Sequence, residues 1–534
     1  MSEAEQSAES KSLTQTLRDS GRELSATAVA FIKAPKALWG INVPYVIEGL
    51  VYFGILTILG IYCTDNVGIS ELHTGWVLSA VTSGITLAML FLGGVCDRIG
   101  VPRTLALSFA MFVVSRALIA VSGSIPLGQG IGSPMFVVMA VGLAIMVVAY
   151  GLYMPAAYAG VKRYTNPQTA AMGFAVVYGL MNLGAFFSGF VSPLTRHRFV
   201  EVFPPNGYAA VYWVYAGLCL VALAVTVLVL TKKTDAEAVE RVARETAELE
   251  AKGGGPATTD EESRKPEERQ KINQLPLIAI ASAAVVSLGA AIAATQGRIQ
   301  ISPWLGYVAG AVFGICAIYE FLRVRPDHPF RNARFSFFIF VLIPVQTLFA
   351  HVWLTIPFYL ERAFQGSLVS EYYEFFTNIN PILIFIMAPL VAGFTARANV
   401  YTMMIIGTIV MGAPTFLLAL GPNVSLFLVY ILLMSIGEAM WQPRFLQWVA
   451  EIAPPGQTGI YMGIGQFPWF LTKFLTGLYS GYFVGKYIPK PETGLAMNTE
   501  LLWLIYGVIA MVSPIGLILA RRWMVAGMKE RHGG

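Results

Sequence analysis

Residues 275–322 read LPLIAIASAAVVSLGAAIAATQGRIQISPWLGYVAGAVFGICAIYEFL. Two apolar runs, 275–295 and 303–322, flank a short link that carries Arg298. Each run is close to the roughly 20 residues a helix needs to cross bilayer hydrocarbon. Working outward, six more runs precede this hairpin, at 41–63, 74–96, 103–122, 136–160, 169–192 and 208–231. Six follow it, at 336–360, 374–395, 401–420, 425–450, 458–485 and 500–520. Gly and Pro inside runs of this length suit membrane helices rather than barrel strands. The chain is 56% hydrophobic and 13% charged, against about 25% charged for soluble domains; mean hydropathy is +0.63. The expected fold is all-α and integral to the membrane: 14 transmembrane helices, as two six-helix bundles plus an inserted hairpin.

The division that follows is a tail and surface helix at 1–40, a first bundle at 41–231 and a charged linker at 232–274. An inserted hairpin at 275–335, a second bundle at 336–522 and a tail at 523–534 complete it. Residues 1–27 are polar with both charge signs, unlike a secretory leader. Cations cluster on one set of connections, including Arg98, Arg103, Lys162, Arg163, Lys232 and Lys233. The opposite set holds only Arg196, Arg198, Arg298, Arg362, Lys486 and Lys490. The positive-inside rule then places both termini in the cytoplasm of a multi-pass cell-membrane protein. The net charge of +5 follows from that bias and does not argue for nucleic acid.

The linker begins as a helix. Glu237/Arg241, Glu240/Arg244 and Arg244/Glu248 are spaced four apart, and Thr234 with Glu237 has capping-box spacing. Gly253-Gly254-Gly255-Pro256 ends it, and a flexible connector is expected beyond. In the hairpin, Gly306, Gly310 and Gly314 allow close helix contact, and Glu320 can pair with Arg323. Cys63, Cys96, Cys219 and Cys316 lie in or beside separate runs without metal or redox spacing. No HExxH, GxSxG or phosphate loop is present. The chain is therefore not expected to be an enzyme or to use a metal or cofactor.

The loop after the second run reads Gly93-Gly94-Val95-Cys96-Asp97-Arg98-Ile99-Gly100-Val101-Pro102-Arg103. It resembles the signature loop of the major facilitator superfamily, which implies gating roles for Asp97, Arg98 and Arg103. Further stretches resemble its proton-dependent oligopeptide transporter branch: Gly173-Phe174 through Asn182, Asn380-Pro381 through Pro389, and Gly437-Glu438 with Pro443, Ala453-Pro454 and Met462-Gly463. A two-helix insertion after the sixth span is also shared with bacterial members. The resemblance covers most of residues 41–520. It implies alternating-access transport of a small peptide or peptide-like solute, with Asn182, Asn380 and Glu438 holding its amine.

A carboxylate inside an apolar helix is costly unless paired or wet, so Glu438 is a candidate functional group on physical grounds as well. Arg444 and Lys473 are its candidate partners if its role is structural instead. The departures from the family are equally specific. The first helix keeps Glu48, but Gly49 stands where the branch has Arg; Met154-Pro155 stands where it has Lys-Pro. Those cations would hold a substrate carboxylate and couple it to a proton. Glu48 and Glu438 are the expected proton-coupling residues. Tyr52, Tyr178, His351, Trp441 and Arg444 are further candidates for lining the substrate site, and Arg116 is the expected partner of Glu48. The expected partners are a small-molecule solute, a proton and the bilayer, with a monomeric chain. Two alternatives remain at this stage: an uncoupled facilitator or exporter of another metabolite, and a receptor or scaffold on a transporter fold.

Overall fold

The computed structural model describes residues 35–166, 170–251, 275–295, 302–326, 328–395, 398–454 and 458–532. Six long helices come first: α1 (Lys36–Ile61), α2 (Glu71–Leu92), α3 (Val101–Ser124), α4 (Pro134–Arg163), α5 (Ala170–Phe199) and α6 (Tyr208–Val229). An amphipathic, charged helix α7 (Lys232–Ala251) follows, then α8 (Leu275–Thr295) and α9 (Pro303–Arg323). The later helices are α10 (Ile343–Leu354), entered through Ala333–Val341, and α11 (Ile379–Thr395), α12 (Val400–Gly412), α13 (Val424–Ile452), α14 (Phe467–Tyr487) and α15 (Thr499–His532).

Eleven helices among the described residues are long and apolar enough to span a membrane. The other three expected spans are also helical, as α8, α11 and α14, but fall outside that set. The expected surface helix at 28–40 begins outside the described residues, and from Lys36 the chain is already α1. Residues 253–274 of the expected connector lie outside them too.

Local chemistry sets the helix starts. Ser133 accepts from the Phe136 amide at 3.1 Å, with Pro134 at the first helical position of α4. Asn399 caps α12 through the Thr402 amide at 3.0 Å. Gly100 takes φ +86°, which turns the short helix Val95–Ile99 into α3. At the start of α7 the cap is Thr231, whose hydroxyl accepts from the Thr234 amide at 3.2 Å. The expected Thr234 instead donates back to the Val229 and Thr231 carbonyls.

The chain divides into two compact units. The larger comprises residues 1–256, 341–448 and 466–525. Within it α7 is fastened to the end of α4, where Arg163 and Tyr164 bond Asp235 at 3.0 and 2.6 Å. The smaller unit holds 257–340, 449–465 and 526–534. Within it α8 packs on α9, Glu320 pairs with Arg323 at 2.8 Å, and Phe335 meets Tyr461 at 4.7 Å. Gly306 and Gly310 are buried as expected, but a Cβ on Gly314 would meet open space.

Candidate functional site

Asn380 lies in the first turn of α11 and Glu438 in the middle of α13. The Asn380 amide donates to Glu438 Oε2 at 3.0 Å and to Ser435 Oγ at 2.9 Å. Glu438 is 6% exposed, yet no cation among the described residues lies within 4 Å of it. From the first half of the chain, α5 brings Tyr178, which lies within electrostatic reach of Glu438 and hydrogen-bonding reach of the Asn182 side chain. Asn182 also donates to the Tyr178 carbonyl at 2.9 Å. Tyr178 is 48% exposed. The structure thus joins Asn380 to Glu438 and Asn182 to Tyr178, with Tyr178 within electrostatic reach of Glu438.

Glu48 sits elsewhere, in a dry cluster. It is 2% exposed, and its Oε1 receives Arg116 Nη2 at 2.6 Å, with Arg116 0% exposed. The Tyr150 hydroxyl bonds the same oxygen, and Cys219 Sγ donates to Oε2 at 3.7 Å. Arg116 also lies over the Phe112 ring, 4.1 Å from its centroid. The expected pairing of Arg116 with Glu48 is present. Breaking such a buried pair costs about 3–5 kcal/mol. Tyr52 stacks edge-on against Tyr150 at 4.9 Å, at the margin of this cluster.

Gly49 is a close-approach position. A Cβ there would stand 2.8 Å from the Met181 carbonyl oxygen on α5, so no Arg fits without moving a helix. Gly49→Ala should therefore destabilise the protein by about 1–3 kcal/mol. A melting temperature unchanged from the parent would contradict that contact.

Three further expected site residues make contacts between helices. His351 is fully buried between helices. Its ring nitrogens meet Thr355 Oγ1 at 2.8 Å and Tyr479 Oη at 3.2 Å, and it stacks on Tyr506 at 3.7 Å. Trp441 is fully buried, donates to Met411 Sδ at 3.1 Å and packs on Gly407. Arg444 donates to the Thr395 carbonyl at 2.5 Å, at the last residue of α11, where a cation complements the helix end. Each of these side chains makes contacts between helices or at a helix terminus. Asp97, Arg98 and Arg103 are exposed and form no ion pair among the described residues.

Sequence reading missed the groups that join residues 36–230 to 341–525. Arg196 Nε meets Glu374 Oε1 at 2.5 Å, Arg362 meets Glu71 at 3.2 Å, and Lys490 meets Asp65 at 2.7 Å. Asn378 donates to Thr57 at 3.0 Å, and Tyr208 meets Tyr373 at 2.7 Å. Gly477 and Gly481 press on α2 at Ser79 and Glu71. Together these links close one end of the larger unit. Arg196, Arg362 and Lys490 were visible as the sparse cations of the outer connections, but nothing in the sequence pairs them. Glu361 lies in this closed end, 3.7 Å from Arg362. Burial, and then the charge of Asp65, push its carboxyl up to about 7, against the pull of Arg362, Arg196 and Lys490.

A family model described as Major Facilitator Superfamily matches residues 44–370. The chain is 23% identical over 513 residues to dipeptide and tripeptide permease A of Escherichia coli (strain K12), covering 91% of each. Its fold is similar to the solved POT family transporter PepTSo, with TM-score 0.63, 15% identity, and 92% of this chain and 99% of that one covered. It is also similar to a peptide transporter POT solved with alafosfalin, with TM-score 0.62, 17% identity, and coverage of 92% and 95%. The helices, the closed end and the matched residues lead to one conclusion: the chain belongs to the Major Facilitator Superfamily, and it is a multi-pass membrane transporter rather than an enzyme.

Proposed function

We propose that this is a divergent proton-dependent oligopeptide transporter that carries a small amine-bearing peptide or peptide-like solute by alternating access. The observation that carries the reading is Glu438: nearly buried, oriented by Asn380, with no cation among the described residues within 4 Å, and within electrostatic reach of Tyr178, which lies beside Asn182. An ammonium group would supply the missing charge, and two amide side chains would fix its position. The fourteen-span topology with an inserted hairpin and cytoplasmic termini belongs to the same proposal. In that orientation the closed end faces outward, and the amine site opens to the cytoplasm. The transporter acts as a monomer in the cell membrane.

Proton coupling in this scheme rests on Glu438, since Glu48 is committed to Arg116. The same commitment favours a second reading, an uncoupled facilitator. Proteoliposome uptake of a dipeptide with and without an inward pH gradient separates them. Faster uptake with the gradient supports symport, and identical rates leave the facilitator. Loss of uptake on N-acetylation of the dipeptide tests the amine site itself.

Glu361 makes the closed end pH-sensitive. In the closed arrangement its carboxyl titrates near 7; with the ends apart it returns to about 4.3. Closing therefore takes up a proton. The closed arrangement has its full advantage below about pH 4 and loses it as pH rises to 7, by at most about tenfold per pH unit. Spin-label distances across the outer ends should lengthen between pH 5 and 8. Glu361→Gln should flatten that response; an unchanged profile would remove Glu361 as its source.

A further inference from the structure

Two intramembrane cations are already engaged. Arg116 is held by Glu48 and Arg444 by the end of α11. Lys473, in the second turn of α14, is different. It is part-buried and makes no hydrogen bond or ion pair among the described residues.

Its direction follows from its helix. Gly477 and Gly481 face α2 through close contacts with Ser79 and Glu71, whereas Phe474 is exposed. Thr472 and Tyr479 face α10, reaching Gln346 at 3.1 Å and His351 at 3.2 Å. Leu475, Leu478 and Tyr482 form the exposed face. With about 3.6 residues per turn, Lys473 falls opposite that exposed face, in the arc between α2 and α10. It points to the interior of the larger unit.

Its depth follows from three rings. Phe349 lies 6.2 Å from Trp441 and 5.3 Å from Trp469. Glu438 precedes Trp441 by three residues in α13, and Lys473 follows Trp469 by four in α14. The two helices are antiparallel. α11 and α13 run together, with Asn380 on Glu438 and Thr395 on Arg444. α11 leaves the closed end beside Glu374, whereas α14 runs toward it and ends near Lys490. Glu438 and Lys473 therefore both stand about one turn, roughly 5 Å, on the same side of this aromatic layer. They are separated by the α10 side and form no ion pair with each other within 4 Å.

We propose that Lys473 binds the carboxylate of the transported solute, so that both charged ends of a zwitterionic peptide are held by the second half of the chain. The inference rests on the amine site proposed at Glu438. It replaces the cations absent at Gly49 and Met154 by one on a different helix. The two groups lie on separate helices at one depth, and an extended dipeptide spans about 7 Å. Specificity for a free carboxylate follows, because an amide or ester would leave the ammonium unpaired in a partly dry site.

The test uses the full chain in proteoliposomes, with alanyl-alanine, its C-terminal amide and its N-acetyl derivative as competing solutes. The parent should favour the free acid over the amide. Lys473→Met should lower that acid-over-amide ratio by about tenfold or more, the scale of a charge-assisted hydrogen bond. Lys473→Arg should restore much of it, and should serve if the Met variant fails to fold by thermal melting. A parent that does not distinguish acid from amide, or a ratio unchanged in the Met variant, overturns the Lys473 assignment. If the N-acetyl penalty persists in those cases, the Glu438 site stands alone. A parent that treats the N-acetyl form like the free amine, or takes up none of the three, overturns both.

Discussion

Glu438→Gln should lower the affinity for an amine-bearing dipeptide by roughly 10–100-fold, the range expected when an ionic hydrogen bond is replaced by a neutral one. Gln keeps the size of the side chain and a carbonyl that can still accept from Asn380, so the local packing survives. What is lost is a buried negative charge with no described cation within 4 Å. The loss should appear as a missing ligand-induced rise in melting temperature, and uptake should become indifferent to the pH gradient. Asn380→Ala should weaken binding less, because it frees the carboxylate from its orienting amide without removing the charge. Dipeptide affinity within twofold of the parent in the Gln variant would show that the amine binds elsewhere.

Arg116→Met should be the most destabilising single change among the groups described, at about 3–5 kcal/mol. The guanidinium is 0% exposed and Glu48 2% exposed. Removing it strands a carboxylate beside the Tyr150 ring, with only the Tyr150 and Cys219 donors left. The paired change Arg116→Met with Glu48→Gln removes both charges and should recover much of the loss, because apolar or neutral replacements of buried pairs are commonly tolerated. Denaturant or thermal unfolding in detergent reads both variants. A double variant no more stable than the single one would mean that the pair holds the helices by more than its own neutrality. The two experiments separate the clusters: one changes binding with little effect on stability, the other does the reverse.

Glu48 and Glu438 look alike in the sequence, each a lone acid in an apolar run. Their difference lies in neighbours from distant helices. Arg116 is 68 residues from Glu48, and its direction within α3 depends on how α3 packs against α1 and α4. His351, Trp441 and Arg444 have residue types suited to a substrate site, but their helices rotate them into packing contacts. Gly49 read as a missing cation; the α1–α5 contact shows why no side chain is accommodated there. The closed end was illegible for the same reason. Asp65, Glu71, Arg196, Arg362, Glu374 and Lys490 are scattered over more than 400 residues and meet only when the two halves do.

The sequence alone determined that this chain lives in a membrane, because the hydrophobic cost of exposing such runs to water depends on composition and length, not on contacts. It also determined which polar groups are stranded among those runs, since their burial follows from their position in an apolar helix. Only the tertiary structure decided which stranded charges are neutralised and which are left open. Helix rotation and the meeting of distant segments set each charge's nearest partner, and over a few ångströms in a poorly screened interior that partner decides between a structural pair and a binding group.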